Sequence, residues 1–490
     1  MISVQNLSKQ YGHQVIFDKI SFSVNPCERV GLVGRNGHGK TTLLKLLIQQ
    51  EPYDEGSIIS AKNYRIGHLN QHIHFSKMTV LEEGCCGLPK DQESEQWKVK
   101  KVLSGLGFSE RDFERSPAEL SGGYQIRLSL AKVLVSEPNL LLLDEPTNFL
   151  DILSIRWLIR FLTAWRNEMI VISHDRGFMD HVTTHIMGIH RSKIRKIAGS
   201  PDDYYDQIAK EEEVHEKQRI NDEKKRKQMD QFINRFRAKA RQANLVQSRI
   251  KTIEKQEKLE KLEEIRTLSF SFNAAPFSAK CILEAQDITF SYDGNPPYLI
   301  DQFTLTIQNH DKICIIGKNG KGKTTLLKLL AGELVLSKGQ VRNHPQAKRA
   351  YFGQTSIATL NNEMTVEEEI LSSHSNGDKK AAWDICGAMM FSGDKALKKI
   401  DVLSGGEKSR VVLGKMLISP ANLLMLDEPT HHLDMESCEA MVEALALFQG
   451  AAIIVTHNER FLHKIANKLI VFHQDRLFLF HGGYSQFLDR

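Results

Sequence analysis

Short apolar runs, each leading into a glycine-rich or polar turn, recur along this chain in the same order, twice. ERVGLVG, from Glu28, leads into the glycine-rich RNGHGKTTLLKLLIQQ, and DKICIIG, from Asp311, leads into KNGKGKTTLLKLLAG. An apolar run too short for a buried helix, then glycines, then apolar positions three and four apart, predicts strand, turn and helix. NLLLLDEP and its repeat NLLMLDEP predict a second buried strand, and MIVISHD and AIIVTHN a third. Strands that are apolar at successive positions, not alternate ones, suit a parallel sheet covered by helices, with the chemistry at the strand ends. The predicted fold is α/β, two such domains in tandem.

Lys40 and Lys323 lie 283 positions apart, and the same offset relates Gln71 to Gln354, Ser121 to Ser404, Asp144 to Asp427, Asp151 to Asp434 and His174 to His457. One spacing shared by six landmarks is the mark of a tandem duplication with room for an intervening segment. Expected boundaries are residues 1–198 for the first domain, 199–276 for the linker and 277–490 for the second domain. From Asp202 to Ala275 the linker holds neither Gly nor Pro and is dominated by Glu, Lys, Gln, Arg and Ala, which favours long helices. One helix of that length would span roughly 100 Å, so a hairpin of two helices, each on the order of 50 Å, is expected.

Charge sharpens the picture of that linker. Between Lys224 and Lys251 ten basic residues face one acid, Asp230, a local charge of +9 in a chain whose total is +5, so the remainder is net −4. A slightly acidic protein with one concentrated basic stretch presents that stretch to something anionic, and Arg235, Arg237, Lys239, Arg241 and Arg249 are the candidate contacts. Phe232 and Phe236 stand at i and i+4 beside these arginines, where they either pack the hairpin or face the partner. Phosphate backbone is the expected anion, since RNA shape is read without sequence contacts. The first residues carry no signal-peptide pattern, and no segment approaches eighteen consecutive apolar residues, so a soluble, cytoplasmic chain is expected. Seven scattered cysteines without a C-x-x-C pair suggest neither a disulfide framework nor a zinc site.

GRNGHGKT and GKNGKGKT both satisfy G-x-x-x-x-G-K-[ST]. Their glycines let backbone N–H groups wrap phosphates at a helix N-terminus, the Lys reaches the outer phosphates and the Thr hydroxyl binds Mg²⁺. The candidate ATP-binding residues are Gly34, Asn36, Gly37, Gly39, Lys40, Thr41 and Thr42 in the first copy. In the second they are Gly317, Asn319, Gly320, Gly322, Lys323, Thr324 and Thr325. In LLLLDEPT and LLMLDEPT an apolar strand delivers Asp144 or Asp427 to the metal, and Glu145 or Glu428 follows, placed to polarise the attacking water. LSGGYQIRLSLAKVL and LSGGEKSRVVLGKML start helices at Ser121, Gly122, Gly123 and at Ser404, Gly405, Gly406, again aiming amides and a helix dipole at an anion.

With these motifs in order over about 200 residues of each half, the chain resembles the ATP-binding cassette family. The resemblance implies that each signature completes a nucleotide site on the opposite cassette, giving two composite sites within one monomer, clamped by ATP and released by hydrolysis. It also implies roles for Gln71 and Gln354 in sensing metal and water, for His174 and His457 at the γ-phosphate, and for Asp151 and Asp434 in the loop between sites. Tyr11 and Tyr292 match the aromatic that stacks on adenine. The first signature departs from the family pattern at Tyr124, where Glu or Gln is usual, and the loops after the two DEPT motifs read NFLD and HHLD. Both sites are expected to hydrolyse ATP, at rates that can differ.

Twin cassettes, no membrane segment and a basic helical linker together resemble the F family of these proteins, the ribosome-associated translation factors, of the bacterial housekeeping type. The resemblance implies a clamp that binds the ribosome in its ATP-closed form, its linker reaching rRNA and tRNA. The alternative is a cassette ATPase acting on branched DNA or energising a separate membrane partner.

Overall fold

The structure, a computed structural model, describes residues 1–69, 75–92, 94–236, 268, 270–373, 378–391, 393–430, 433–473 and 476–489. By contact the chain divides into two units, Met1–Ala198 together with Thr267–Arg490, and Gly199–Arg266.

In the first repeat the strands are β1 (Ile2–Tyr11), β2 (Gln14–Val24), β3 (Arg29–Val33), β4 (Glu55–Ser60), β5 (Ile66–His68), β6 (Leu140–Asp144), β7 (Glu168–Ile172), β8 (His185–His190) and β9 (Lys193–Ala198). The helices that position the site are α1 (Lys40–Leu47), α2 (Val80–Cys85), α3 (Gln96–Gly105), α4 (Gly122–Val135), α5 (Ile152–Thr163) and α6 (Arg176–Val182). The six-stranded sheet has the order β5-β6-β7-β3-β8-β9, parallel except for the closing β8–β9 hairpin. β6 and β7 are buried from Leu140 to Leu143 and from Glu168 to Ile172, as strands covered on both faces must be. Each repeat also has a three-stranded antiparallel sheet, here β2-β1-β4, which the expected parallel sheet did not include. Its apolar residues alternate with polar ones, and Ile2, Val4, Phe17 and Phe22 pack with Leu43 and Leu46 of α1 against Leu140 and Ile170.

The second repeat copies this plan. After the linker helix α7 (Pro201–Phe236) come β10 (Cys281–Phe290), β11 (Ile300–Gln308), β12 (Lys312–Gly317), α8 (Lys323–Ala331), β13 (Lys338–Asn343), β14 (Arg349–Phe352), α9 (Gln354–Ala358), α10 (Val366–Leu371) and α11 (Lys379–Ala388). There follow α12 (Gly405–Ile418), β15 (Leu423–Asp427), α13 (Met435–Leu447), β16 (Ala451–Val455), α14 (Glu459–Ile465), β17 (Lys468–His473) and β18 (Arg476–His481). The sheets are β14-β15-β16-β12-β17-β18 and β11-β10-β13, the order of the first repeat strand for strand. Before residue 277, Leu268 and Ala275 are already buried in this half, and the Ala275 amide donates to the Ala421 carbonyl at 2.8 Å. Ile152 of the first repeat packs into the same core cluster as Leu433 and Met441.

The 36-residue α7 is about 54 Å long at 1.5 Å per residue, the length expected for one arm of the linker. Pro201 sits at its start, and Ser200 and Asp203 cap it reciprocally, with the Ser200 amide on Asp203 Oδ2 at 2.8 Å and the Asp203 amide on Ser200 Oγ at 3.3 Å. Further along, Glu213–Lys217, Glu216–Arg219, Arg219–Glu223 and Glu223–Lys227 pair one turn apart, which supports a helix with little apolar surface to bury. The second arm of the predicted hairpin, and with it Arg237, Lys239, Arg241 and Arg249, lies outside the described residues; Arg235 belongs to α7.

Candidate nucleotide sites and the contacts between the repeats

Each P-loop leaves a parallel strand, β3 or β12, and enters a helix through a glycine whose backbone angle and surroundings disfavour a side chain. Gly39 and Gly322 have φ of 89° and 100°, in the left-handed region. A Cβ on Gly39 would meet Ile16 Cγ2 at 2.4 Å, and one on Gly322 would meet Leu299 Cγ at 2.9 Å. Lys40 folds back over its loop, donating to the carbonyls of Gly34 at 2.6 Å and Arg35 at 3.1 Å and to Asn36 Oδ1 at 3.4 Å. Lys323 does the same with Gly317, Lys318 and Asn319 at 3.0, 3.0 and 3.1 Å. Burial lowers the pKa of both ammonium groups, against the pull of Glu145, Asp434 and Asp144 on Lys40 and of Glu428, Asp151 and Asp427 on Lys323.

At the mouth of each loop a threonine meets the strand-end aspartate. Thr41 Oγ1 donates to Asp144 Oδ2 at 2.8 Å, and Thr324 bonds Asp427 likewise. Burial raises both aspartates, with these hydroxyl bonds working against it. A hydroxyl beside a carboxylate is the hard oxygen donor set that Mg²⁺ takes from a protein when phosphates and water supply the rest. Among the described residues there is no cluster of three acidic, His or Cys side chains, as an all-protein cage would need. Gln71 lies outside the described residues, and Gln354 opens α9.

The next residue turns sharply. Glu145 and Glu428 have φ of 49° and 47°, a left-handed conformation that costs a non-glycine residue of order 1–3 kcal/mol and that clusters at functional sites. It is held by the Glu145 amide donating to Ile172 O and the Glu428 amide to Val455 O, both at 2.9 Å. The turn sends Glu145 Oε1 to 3.3 Å from His174 Nε2, and Glu428 Oε1 to 3.5 Å from His457 Nε2. His457 Nε2 also lies 3.1 Å from Asn319 Oδ1. Burial and the neighbouring Asp144 push Glu145 up to about 8, although 20% of its side chain still reaches solvent. Glu428 is raised for the same two reasons.

Tyr11 and Tyr292 are 47% and 73% exposed, so neither is a core residue. Each hydroxyl touches the start of the P-loop helix: Tyr292 Oη lies 2.9 Å from Thr325 Oγ1, and Tyr11 bonds Thr42 as well as Glu51. Ser121 and Ser404 stand exposed at the N-termini of α4 and α12, with Gly122 and Gly405 exposed beside them and Gly123 and Gly406 half-buried.

The two repeats meet head to tail. Asn319 of the second P-loop donates through Nδ2 to Phe149 O at 2.7 Å and through its amide to Asp151 Oδ2 at 3.4 Å. Arg35 of the first P-loop pairs with Glu436 at 2.9 Å, two residues past Asp434. Asp151 and Asp434 also cap α5 and α13, accepting from Ser154 N at 3.0 Å and Ser437 N at 2.9 Å. Burial alone would raise Asp434, but the Ser437 bonds and the charges of His174 and Lys40 hold it low. Two participants escape motif reading. Arg127, 1% exposed, holds Phe149 O with Nε at 3.0 Å and Nη2 at 2.6 Å, and lies 3.7 Å from Asp151. Arg35 is a variable position inside the P-loop pattern. A charged residue in an otherwise apolar stretch of the signature helix was the available signal for Arg127.

The sequence model described as ABC transporter matches residues 17–148 and 300–431, and a second under the same description matches residues 187–272. ABC transporter F family member 5 of Arabidopsis thaliana is 31% identical over 539 residues, covering 100% of this chain and 77% of its own. ATP-binding cassette sub-family F member 3 of Rattus norvegicus is 31% identical over 523 residues, covering 99% and 73%. Among solved structures, the archaeal ribosome recycling factor aABCE1, in its complex with the ribosomal stalk protein aP1, superposes with a TM-score of 0.65 at 19% identity over 99% of this chain and 92% of that one. RNase-L Inhibitor does so with a TM-score of 0.64 at 20% identity, over the same shares. Both structures share the tandem arrangement of cassettes. Two P-loops, two strand-end Asp-Glu pairs and two signature helices, on cassettes that match this family through relatives aligned over the whole chain, make this protein a P-loop ATPase of the ATP-binding cassette family, F branch.

Proposed function

We propose that this chain is an ATP-driven clamp that binds the ribosome in its closed form and regulates translation from the cytoplasm. Head-to-tail contact between each P-loop and the opposite Asp151 or Asp434 loop supports two composite ATP sites, one with Ser404, Gly405 and Gly406 over the first P-loop, the other with Ser121, Gly122 and Gly123 over the second. Lys40 and Lys323 leave their loop carbonyls for the outer phosphates, while Tyr11 and Tyr292 offer an exposed ring to adenine. Thr41, Asp144 and Gln71, with Thr324, Asp427 and Gln354, would hold Mg²⁺, which neutralises charge on the transferring phosphoryl group. Glu145 and Glu428 take a proton from the attacking water. A raised pKa suits them to this, because a base works best when its pKa lies near the working pH. His174 and His457, in contact with these carboxylates, orient them and face the γ-phosphate.

The observation that carries the ribosome reading is the linker: a 36-residue helix that runs into the most basic stretch of the chain, in a protein none of whose described helices is long and apolar enough to cross a membrane. Arg235, Arg237, Lys239, Arg241 and Arg249 would meet rRNA or tRNA phosphates. The related fold of a ribosome recycling factor supports the reading. Sucrose-gradient sedimentation of the Glu145→Gln, Glu428→Gln double variant with ribosomes tests it. Co-migration that requires ATP is expected. Protein that stays at the top of the gradient in ATP would overturn it and direct attention to branched DNA.

A further inference from the structure

Away from the phosphate loops, the repeats touch along a seam of charged side chains. Arg156 Nε on α5 lies 2.5 Å from Glu459 Oε1 at the start of α14, and Arg156 Nη2 donates to the Tyr484 hydroxyl at 3.2 Å. Arg176 Nη1 at the start of α6 lies 3.5 Å from Glu439 Oε1 on α13, which also receives Arg460 Nη2 at 2.9 Å from its own repeat. Arg176 and Glu439 are 14% and 23% exposed, so this pair is well shielded from water.

Positions 156 and 439 differ by 283, the offset of the duplication, and so do 176 and 459. Contacts 156–459 and 176–439 are therefore one contact, seen twice across the pseudo-two-fold axis, since such an axis places residue i on j and j on i. Had the repeats stayed identical, both contacts would carry the same pair of residues in the same sense. Here the first repeat has arginine at both of its positions, and the second has glutamate at both. Two of the four helices follow suit, since α5 bears Arg156 and Arg160 and no acid, while α13 bears Glu436, Glu439 and Glu443 and no base; α6 and α14 carry both signs. A first repeat set against another first repeat would bring Arg onto Arg twice, and two second repeats would bring Glu onto Glu twice. Only the first with the second forms two opposite pairs.

We propose that this seam is a charge-matched docking surface by which the first cassette recognises the second cassette of the same chain and rejects a copy of itself. None of its four residues belongs to a phosphate loop, a signature or a strand-end carboxylate pair, although Arg176 and Glu459 follow His174 and His457 by two positions, and the matching does not depend on the ribosome reading. Like charges placed across a partly shielded seam are an effective bar to a wrong partner.

Single charge reversals reproduce the rejected pairings in the full chain. Arg156→Glu sets Glu against Glu459, and Glu459→Arg sets Arg against Arg156. In the Glu145→Gln, Glu428→Gln background, the ATP concentration for half-saturation, read with a fluorescent ATP analogue, reports how readily the repeats close. Each reversal is expected to raise that concentration about five- to twentyfold, and the two together to bring it back to within about twofold of the parent. The defect of each single reversal shrinks as salt rises from about 0.05 to 0.5 M, because partly exposed charges are screened. Singles within twofold of the parent would overturn the proposal, and so would a double reversal no better than the worse single. Where a single reversal gives no folded protein, the double decides: recovery of folded, tight-binding protein supports the matching, and continued failure overturns it.

Discussion

The two signature helices begin with the same Leu-Ser-Gly-Gly and are held in place differently. In the second repeat Ser404 and Glu407 form a reciprocal cap: the Ser404 amide donates to Glu407 Oε2 at 2.9 Å, the Ser404 hydroxyl donates to the same oxygen at 2.9 Å, and the Glu407 amide donates to Ser404 Oγ at 3.3 Å. In the first repeat Tyr124 stands where Glu407 does, and Ser121 makes no side-chain cap. Tyr124 instead packs edge-on against Phe108, ring centroids 5.1 Å apart, and lies under the Arg127 guanidinium at 4.8 Å. That stacked arginine grips Phe149 O, which also receives Asn319 of the opposite P-loop. Its counterpart Arg410 turns elsewhere, to the Phe391 ring at 5.2 Å and Met390 Sδ at 3.4 Å. One repeat stabilises its signature locally through a cap. The other ties its signature, through an aromatic and an arginine, to the loop that crosses to the neighbouring site. A duplicated fold can therefore keep its topology while changing what couples one site to the other.

The comparison is put to its hardest test by removing one base at a time. Glu145→Gln and Glu428→Gln are each expected to abolish turnover at their own site, and the double variant to lower kcat for phosphate release at least about 100-fold, the low end for loss of a general base. If the first signature is the more tightly coupled, the site it completes, over the second P-loop with Glu428, carries more of the flux. Glu428→Gln then loses more of the steady-state rate than Glu145→Gln. Equal losses from the two single variants would show that the different anchoring does not reach the chemistry.

A smaller effect separates the two arginines. Arg127→Ala leaves Leu106 O without its guanidinium donor, Phe149 O with Asn319 alone and Asp151 without its neighbouring cation, which is expected to cost about 2–4 kcal/mol. Arg410→Ala, which gives up a ring and a thioether contact at a half-buried position, is expected to cost about 1 kcal/mol. Denaturant unfolding monitored by circular dichroism measures both, and an Arg410 variant as damaged as the Arg127 variant would contradict the assignment of the inter-repeat tie to the first repeat.

Much of this is legible in the sequence. Strands β3, β6 and β7 and their copies are mostly apolar at consecutive positions, and a glycine, a carboxylate or a Ser/Thr-His pair marks where each one ends, so period and punctuation agree. The constant offset made the second repeat a copy of the first. The antiparallel sheets escaped because β1 and β2 alternate over ten or eleven residues broken by register shifts, which blurs a period of two. Candidate site residues inside short motifs follow from spacing. Arg127 could not, because its partners are carbonyls of Leu106 and Phe149 that only folding brings together. The contact of Arg156 with Glu459 joins residues 303 apart, and no local pattern encodes that.

The smallest expected effect concerns the cap itself. Glu407→Ala removes the side chain that receives the Ser404 amide and hydroxyl, and losing one half of a capping box costs about 0.5–1 kcal/mol. Tyr124→Glu offers the first repeat the cap it lacks, a gain of similar size, and gives up the edge contact with Phe108 and the ring beneath Arg127, together about 1–2 kcal/mol. The two substitutions are therefore not mirror images. Glu407→Ala should lower the unfolding midpoint slightly and leave the link between sites intact. Tyr124→Glu should lower stability by no more than about 1.5 kcal/mol while loosening Arg127, and so reduce the effect of ATP bound at one site on ATP affinity at the other. Isothermal titration of each variant separates the outcomes: a Tyr124→Glu protein whose two sites stay coupled as in the parent would place the tie in Arg127's bonds to Phe149 O alone, with the aromatic ring serving only to pack.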